Sequence, residues 1–366
     1  MVSKIQDTIQ EIINSAVAEG LERGLQVAAY HRGRLIVDAH AGIADINTGA
    51  PVTKTTLFPV FSATKGITAT AIHLLAERGI LAYEDKISGY WPEFGVSGKE
   101  NVTVLQALHH TSGIPQLPVE LTAAEMADWD NICRIIASLS PLWEPGSRME
   151  YHALNYGWIL GELARRADGR HFGQIITEDI CMPLGIEDDL YVGVPADMEH
   201  RVAFLEEPGV TTDKLNDGGI VTIPDGANPL PVWMNLSEVR RSCQPGASGV
   251  MSAHALARVY GALLPGGVDG VELLPPSRVN TAIKPLELPQ DDLPPVALGY
   301  RLGGEDILIG ESPLVFGHGG YGCNLGIADL RYGLAFGFTR NLITPASDGF
   351  SKKILDTVRA SVRSNG

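Results

Sequence analysis

The sequence predicts a mixed α/β fold of the α+β type, in which one antiparallel sheet is built from both chain ends and carries a mostly helical insertion. Strand-like runs lie near the amino terminus and again between residues 314 and 340. Between them, residues 64–170 follow mostly helical spacing. Because one sheet can unite strands distant in sequence, we expect a sheet lobe of residues 1–60 and 285–366 and a helical lobe of residues 61–284.

The elements at the two ends follow from apolar spacing. Apolar residues recur at helical intervals over residues 5–23 and predict an amphipathic helix, which is followed by strands over residues 25–30 and 35–40 around a turn at Gly33. At the other end, strands interrupted by glycines over residues 314–340 precede a closing helix over residues 349–363. We expect helices on the faces of the sheet.

The segment 205–247 is rich in proline, glycine, aspartate and asparagine, with Trp233 in its midst. A long irregular stretch inside a compact domain more often borders a functional site than links domains. We therefore expect an irregular loop here beside the site.

Composition excludes several classes of protein. The 366 residues carry 28 basic and 43 acidic side chains, a net charge of −15, which argues against a nucleic-acid partner because phosphate binding needs a basic surface. No run of about 18 apolar residues is present, so we predict no membrane span. The four cysteines show no metal-binding or disulfide spacing, and the first residues do not resemble a secretory signal. These features predict a cytoplasmic protein, and they leave the oligomeric state open.

The first candidate for chemistry is the segment Ser62-Ala63-Thr64-Lys65, which precedes an apolar run at helical spacing. Ser62 is expected at a helix amino terminus, with Lys65 one turn later on the same face. A desolvated lysine can remove or tune the serine proton. The alternative is an N-capping serine beside a solvated lysine. The apolar helix favours the nucleophile, because a lysine at the start of a buried helix is costly without a purpose.

The second candidate is Tyr151, which follows a Pro145-Gly146 turn and precedes an apolar helix. A tyrosine beside a protonated lysine has a lowered pKa and can act as a general base. A core or capping tyrosine is the alternative reading of this segment alone.

The third candidate is the glycine-rich run over residues 316–324, whose exposed N–H groups could bind an oxyanion. It also matches G-x-G-x-x-G, but a strand-like run, residues 334–338, follows where a dinucleotide site needs a helix. We therefore predict no cofactor. His109 and His110 lack further ligands at helical spacing, so they are interpreted as structural and no metal site is predicted.

Taken in this order, the three segments resemble those of the serine β-lactamase and penicillin-binding protein superfamily. The likeness is to the class C β-lactamase-like branch, with its family VIII carboxylesterases and statin-type acyltransferases. Ser62 to Lys65 match the S-x-x-K motif, Tyr151 matches the tyrosine of Y-x-N, and His318-Gly319-Gly320 occupy the place of the lysine-threonine-glycine strand. Supporting likenesses lie at residues 108–114, 143–146 and 246–252.

The resemblance implies an active site between the two lobes and an acyl-enzyme mechanism. Ser62 would attack an ester carbonyl, Tyr151, its pKa lowered by Lys65, would take the proton, and the backbone N–H groups of Ser62 and Tyr321 would form the oxyanion hole. We therefore predict a carboxylesterase acting on a small-molecule acyl ester. The alternatives are an acyltransferase using the same acyl-enzyme, a β-lactamase or peptidase, and a non-catalytic scaffold.

The residues expected to bind substrate are His318, Gly319, Gly320, Ala153 and Trp233. Two of them depart from the β-lactamase pattern. Position 153 is alanine where β-lactamases carry an asparagine, and His318 stands in place of the lysine that helps hold the lactam carboxylate. Both departures favour the esterase or acyltransferase branch.

Overall fold

The computed structural model describes most of the chain, namely residues 2–209, 219–290, 293–304, 309–343 and 349–363. Within these residues the strands are β1 Gly24–His31, β2 Arg34–Asp45, β3 Ala50–Pro51, β4 Phe58–Pro59, β5 Leu190–Val192, β6 Gly249–Met251, β7 Arg301–Leu302, β8 Val315–Gly319, β9 Leu325–Asp329 and β10 Leu334–Arg340. The α-helices are α1 Val2–Ala18, α2 Thr64–Glu77, α3 Ile87–Tyr90, α4 Val104–Leu108, α5 Ala123–Ala127, α6 Trp129–Ser138, α7 Asn155–Asp168, α8 Phe172–Ile176, α9 Met182–Leu184, α10 Leu230–Met234, α11 Ser237–Arg241, α12 Ala253–Gly261, α13 Pro276–Ala282 and α14 Phe350–Arg363.

The main sheet joins the two chain ends, as predicted. Its order is β3-β2-β1-β10-β9-β8-β7, and β1 pairs antiparallel with β10, with Val27 opposite Phe338. β10 is buried along its whole length, and β1 along all but its last residue. Helices α1 and α14 cover one face, and α12 covers the other. The predicted fold class is confirmed.

The first helix ends earlier than its apolar spacing predicts, at Ala18 instead of residue 23. Gly20 adopts a left-handed conformation, with φ +73°. The Leu21 N–H then closes on the carbonyl of Ala16 at 2.9 Å. This capping arrangement terminates the helix and turns the chain into β1.

A second, three-stranded sheet of order β4-β6-β5 was not predicted. Its strands have only two or three residues, too few to show the alternation that marks a strand. The sheet matters for the site because the Val60 N–H donates to the carbonyl of Gly249 in β6, at 2.9 Å, just before the start of α2.

The two-lobe division stays a prediction. Helix α12 lies in the segment assigned to the helical lobe, yet it packs on β1, β9 and β10 of the main sheet. In the predicted irregular loop, residues 210–218 lie outside the described part, and the short helices α10 and α11 occupy less than a third of the rest. Across the described ranges, no helix is long and apolar enough to cross a membrane. All four cysteines are free, and Cys133, Cys181 and Cys323 are buried.

Candidate active site

Ser62 lies in a short 3₁₀ turn, Phe61–Ala63, that leads directly into α2. Every residue from 56 to 76 is buried except Ser62. Phe61 adopts a left-handed conformation, with φ +48°, which is rare for an aromatic residue and turns the chain sharply at this point. The fold therefore presents one hydroxyl at the start of an otherwise buried helix.

Lys65 is fully buried, and its ammonium contacts three acceptors. Nζ lies 3.1 Å from Ser62 Oγ, 2.7 Å from the carbonyl oxygen of Ala153 and 2.8 Å from that of Gly246. Burial lowers the pKa of Lys65, the neighbouring Tyr151 opposes that shift, and Arg301 adds to it. The arrangement satisfies a buried cation and holds it against the serine oxygen.

The carbonyl of Gly246 reaches Lys65 because two glycines allow the backbones to touch. A Cβ atom on Gly157, in α7, would lie 1.9 Å from the Gly246 nitrogen, and one on Gly246 would lie 2.7 Å from the Leu154 carbonyl oxygen. Thr68, one turn after Lys65, donates to the neighbouring Pro245 carbonyl at 2.7 Å. Residues 246–252, noted in the sequence only as a supporting likeness, thus help to build the lysine site.

Tyr151 lies in the loop before α7, where four side chains surround its ring. Lys65 Nζ is 4.8 Å from the ring centroid and the Arg301 guanidinium carbon is 5.5 Å from it. The His110 and His318 rings lie at centroid distances of 4.9 and 6.4 Å. The structure therefore brings Ser62, Lys65 and Tyr151 together, as the sequence predicts.

The charges around Tyr151 favour its phenolate. Burial by itself raises the pKa of Tyr151, but Lys65, hydrogen bonding with Ser62, and Arg301 outweigh it, so the pKa lies below its ordinary value. A phenol that ionises more readily beside a serine hydroxyl is suited to accept its proton.

A buried brace fixes the loop that carries Tyr151. His152 Nδ1 donates to the carbonyl of Glu150 at 2.6 Å, so its Nε2 accepts from the hydroxyl of Ser112 at 2.8 Å. The His152 N–H donates to His110 Nδ1 at 3.2 Å. The structural role predicted for His110 fits this arrangement, because the brace joins the loop after α4 to the residue following Tyr151.

The glycine-rich run ends β8 beside Ser62. A Cβ atom on Gly320 would lie 1.9 Å from the Val60 carbonyl oxygen, so the two backbones are in contact. In the described part of the chain, neither the Ser62 nor the Tyr321 N–H donates a hydrogen bond in the turns and loops. These two amides are the predicted oxyanion hole, and that role stays a prediction.

His318 contributes a neutral side chain to the site. Its Nδ1 donates to the carbonyl of Gly319 at 2.6 Å, which leaves Nε2 as an acceptor. Burial, followed by the charges of Lys65 and Arg301, lowers the pKa of His318 well below its ordinary value. The residue at this position therefore carries no positive charge at neutral pH.

Comparison with known proteins places this geometry in a family. The family model described as Beta-lactamase matches residues 9–359. The chain belongs to the β-lactamase family. It is 34% identical over 347 residues to Esterase/beta-lactamase LipL of Mycobacterium tuberculosis, an alignment that covers 88% of this chain and 78% of LipL.

Similar solved structures agree with this membership. A family VIII carboxylesterase superposes with a TM-score of 0.84 at 28% identity, covering 97% of both chains. A penicillin-binding protein homolog from Caulobacter crescentus superposes with a TM-score of 0.86 at 33% identity, covering 98% of this chain and 97% of the other. The predicted family is confirmed, and the esterases among these relatives support the predicted serine ester hydrolase.

Two of the predicted substrate-binding residues, Ala153 and Trp233, are buried in the structure. Ala153 is buried, and its backbone carbonyl accepts a hydrogen bond from Lys65. Trp233 lies in the hydrophobic core with 2% of its surface exposed, and its indole N–H has no partner among the described residues. Substrate contact by either residue stays a prediction.

The sequence analysis of this β-lactamase family member did not predict Arg301 as a residue of the site. It is the first residue of β7, and it influences the pKa of Tyr151, Lys65 and His318. One signal was present in the sequence, because Arg301 is the only charged residue in the apolar, glycine-containing run over residues 293–304. No group of metal-ligating side chains occurs in the described ranges.

Proposed function

We propose that the protein is a serine carboxylesterase that works through an acyl-enzyme on Ser62. One observation carries the proposal: Ser62 is the single non-buried residue between positions 56 and 76, and its hydroxyl lies 3.1 Å from a fully buried lysine ammonium. A buried cation at this place serves no packing need, whereas it is what a serine nucleophile and its base require.

The proposed reaction has two halves. In the first, Ser62 Oγ attacks the ester carbonyl while the Tyr151 phenolate takes the serine proton. The N–H groups of Ser62 and Tyr321 stabilise the resulting oxyanion, a contribution of about 3 kcal/mol for each donor in comparable sites. When the tetrahedral intermediate collapses, Tyr151 returns the proton to the leaving alcohol and the acyl group stays on Ser62.

In the second half, water attacks the acyl-enzyme and Tyr151 accepts its proton. The acid departs, and the proton passes back to Ser62 Oγ. Lys65 remains an ammonium throughout, since its three protons match the three acceptors around it. An acceptor alcohol in place of water would give acyl transfer by the same steps.

We propose that simple carboxylic esters are preferred to β-lactams. His318 is neutral and cannot pair with a lactam carboxylate as a lysine does, and Ala153 offers no side-chain amide. Gly319 and Gly320 stay predicted substrate-binding residues, although the space where a Gly320 side chain would lie is taken up by the Val60 carbonyl. The name of LipL includes both activities, so the preference needs a direct measurement.

The test combines labelling with a substrate panel. A fluorophosphonate should modify Ser62, located by mass spectrometry of the digested protein, and a p-nitrophenyl ester should be hydrolysed faster than a chromogenic cephalosporin. The same panel with added alcohol measures acyl transfer. Absence of any adduct on Ser62 in folded protein would favour a scaffold, and faster cephalosporin turnover would reverse the proposed preference. A cytoplasmic location stays a prediction from the sequence.

A further inference from the structure

Arg301 lies at the candidate active site, beside Tyr151. Its guanidinium carbon is 5.5 Å from the centroid of the Tyr151 ring, and the side chain is half-buried. Among the described residues no carboxylate forms an ion pair with it. Arg278, which is also half-buried and lies 5.4 Å from the ring centroid of Tyr83, pairs instead with Glu77 at 2.7 Å.

The chain before Arg301 is fixed to the elements that carry the site. The Gly299 N–H donates to the carbonyl of Leu108, at the end of α4, at 3.0 Å. The Tyr300 hydroxyl lies 2.8 Å from that of Thr70 in α2. Gly299 has φ +79°, and a Cβ atom there would lie 2.4 Å from the Tyr156 hydroxyl, so glycine is required at this turn. Arg301 is thus held beside Tyr151 by the fold.

The space between the guanidinium and the phenol ring is small. Tyr151 and Arg301 line the same narrow cavity with His110 and His318, and its volume is about 10 Å³. This is roughly the smallest space that holds one water molecule. The positive charge therefore acts on Tyr151 through a poorly screened region, where its effect is larger than at an open surface.

Among the described residues around Tyr151, two side chains supply positive charge. The titratable groups facing it there are Lys65 from α2, Arg301 from β7, His318 from β8, His110 after α4, Tyr156 from α7 and the adjacent His152. Burial lowers the pKa of all three histidines, to about 4 for His152 and well below the ordinary value for His110 and His318. Burial raises the pKa of Tyr156 well above its ordinary value, so that phenol is neutral. Lys65 and Arg301 remain.

Lys65 shares its charge with several acceptors. Its ammonium contacts the Ser62 oxygen and two backbone carbonyls, in addition to the Tyr151 ring. A buried phenolate needs compensation because the low-dielectric interior favours the neutral phenol. The unpaired guanidinium is the remaining source of that compensation within the described structure.

We propose that Arg301 is a positioning residue, whose guanidinium supplies the second positive charge at Tyr151 and holds that side chain in the phenolate form that accepts the Ser62 proton. The proposal rests on the proposed function, since the phenolate matters only where Tyr151 is the base. It assigns Arg301 to the free enzyme and requires no negative charge on the substrate.

The kinetic test compares Arg301→Gln, Arg301→Lys and the matched control Arg278→Gln on p-nitrophenyl acetate, a neutral ester. Removing the guanidinium should move the acidic limb of the kcat/KM profile to higher pH by about 0.5–1 unit, since the base then ionises less readily. Above that limb the Arg301→Gln rate should recover to within about 3-fold of wild type. In Arg301→Lys the acidic limb should lie close to its wild-type position, because the positive charge is kept. Arg278→Gln should not move the limb.

A spectroscopic titration provides a readout that needs no turnover. Tyrosinate absorbance is recorded in the wild type and in Tyr151→Phe, and the difference isolates Tyr151 among the ten tyrosines. The same difference is then taken between Arg301→Gln and the double variant Arg301→Gln/Tyr151→Phe. The Tyr151 titration should occur at higher pH there, by the same amount as the acidic limb of the kinetic profile moves.

The outcomes separate the two proposals. An equal loss of rate at every pH with an unmoved tyrosinate titration would make Arg301 merely structural. A loss seen only as a higher KM for a negatively charged ester would make it a substrate-binding residue instead. Either result overturns the inference. A wild type that hydrolyses no ester would refute the proposed function, while the titration would still test whether Arg301 governs Tyr151.

Discussion

Two buried helices of this protein begin next to a serine, and the two serines differ in hydrogen bonding and exposure. At α12, Ser252 is fully buried and its hydroxyl accepts from the Ala255 N–H at 3.0 Å, an ordinary N-cap. At α2, Ser62 makes no capping bond and remains partly exposed. The residue type at the start of a helix therefore does not reveal whether the hydroxyl stabilises the backbone or is free for chemistry.

Other groups satisfy the backbone at α2, which leaves Ser62 free. Thr64 donates its hydroxyl proton to the Phe61 carbonyl and accepts from the Gly249 N–H at 2.9 Å. A Cβ atom on Gly249 would lie 2.4 Å from Thr64 Oγ1, so the contact depends on glycine. At α12 the third residue after the serine is alanine, whereas at α2 it is Lys65. Substitutions at the two serines can therefore distinguish a catalytic hydroxyl from one that caps a helix.

The largest effect is expected at Ser62. Ser62→Ala should lower kcat on p-nitrophenyl esters by on the order of 10⁴-fold or more, because no other group forms the acyl-enzyme. Its free energy of unfolding should change by about 0.5 kcal/mol or less, since the hydroxyl caps no helix. Steady-state kinetics and urea unfolding measure the two effects. Substantial residual turnover would remove Ser62 from the mechanism.

Lys65 should rank next. Lys65→Ala and Lys65→Arg should each lower kcat/KM by about 10³-fold, because the first removes the charge and the second brings a planar cation that cannot meet the same three acceptors. Both variants leave buried carbonyls poorly paired and should be less stable. The same kinetic assay, with circular dichroism to verify folding, checks the result. A vigorous folded Lys65→Arg enzyme would show that charge alone suffices.

Tyr151→Phe keeps the ring and removes one oxygen. The rate should fall by about 10²–10⁴-fold if the phenolate is the base. A base with a lowered pKa is active above that pKa, so wild-type kcat/KM should fall as pH drops through it, and the variant should lose this acidic limb. The limb belongs to the coupled Tyr151 and Lys65 groups together. An unchanged rate and profile would transfer the role of base to Lys65 or His318.

The sequence predicted those parts of the molecule that depend on local spacing. Apolar periodicity placed β1, β2 and the closing helix, and motif order placed Ser62, Lys65 and Tyr151. The Gly246 carbonyl lies 181 positions from Lys65 in the chain, and no local pattern announces a backbone acceptor at that distance. Arg301 reaches Tyr151 because a turn at Gly299 docks on α4, a contact that depends on packing.

Thr64→Val tests how the start of α2 is held without a serine cap. The substitution preserves the shape of the side chain and removes its two hydrogen bonds, to the Phe61 carbonyl and from the Gly249 N–H. The buried Gly249 N–H loses its partner, whereas the Phe61 carbonyl keeps the backbone N–H of Thr64. Stability should therefore fall by about 1–3 kcal/mol. We expect a smaller loss of kcat, about 10-fold, since Ser62 would be less well positioned. Urea unfolding and ester kinetics on the same preparation measure both. Full activity would mean that the turn is held without Thr64.

The smallest catalytic effect is expected at Ser252. Ser252→Ala removes the α12 cap and should lower the free energy of unfolding by about 1 kcal/mol, the usual cost of such a loss. Ester kinetics should stay within about 2-fold of wild type, because α12 packs on the main sheet and Ser252 makes none of the described contacts with Ser62, Lys65 or Tyr151. Ser62→Ala should show the opposite pattern, with activity lost and stability kept. If both substitutions lowered activity and stability together, the two helix starts would be coupled through β6, and the distinction between a capping and a catalytic serine would fail here.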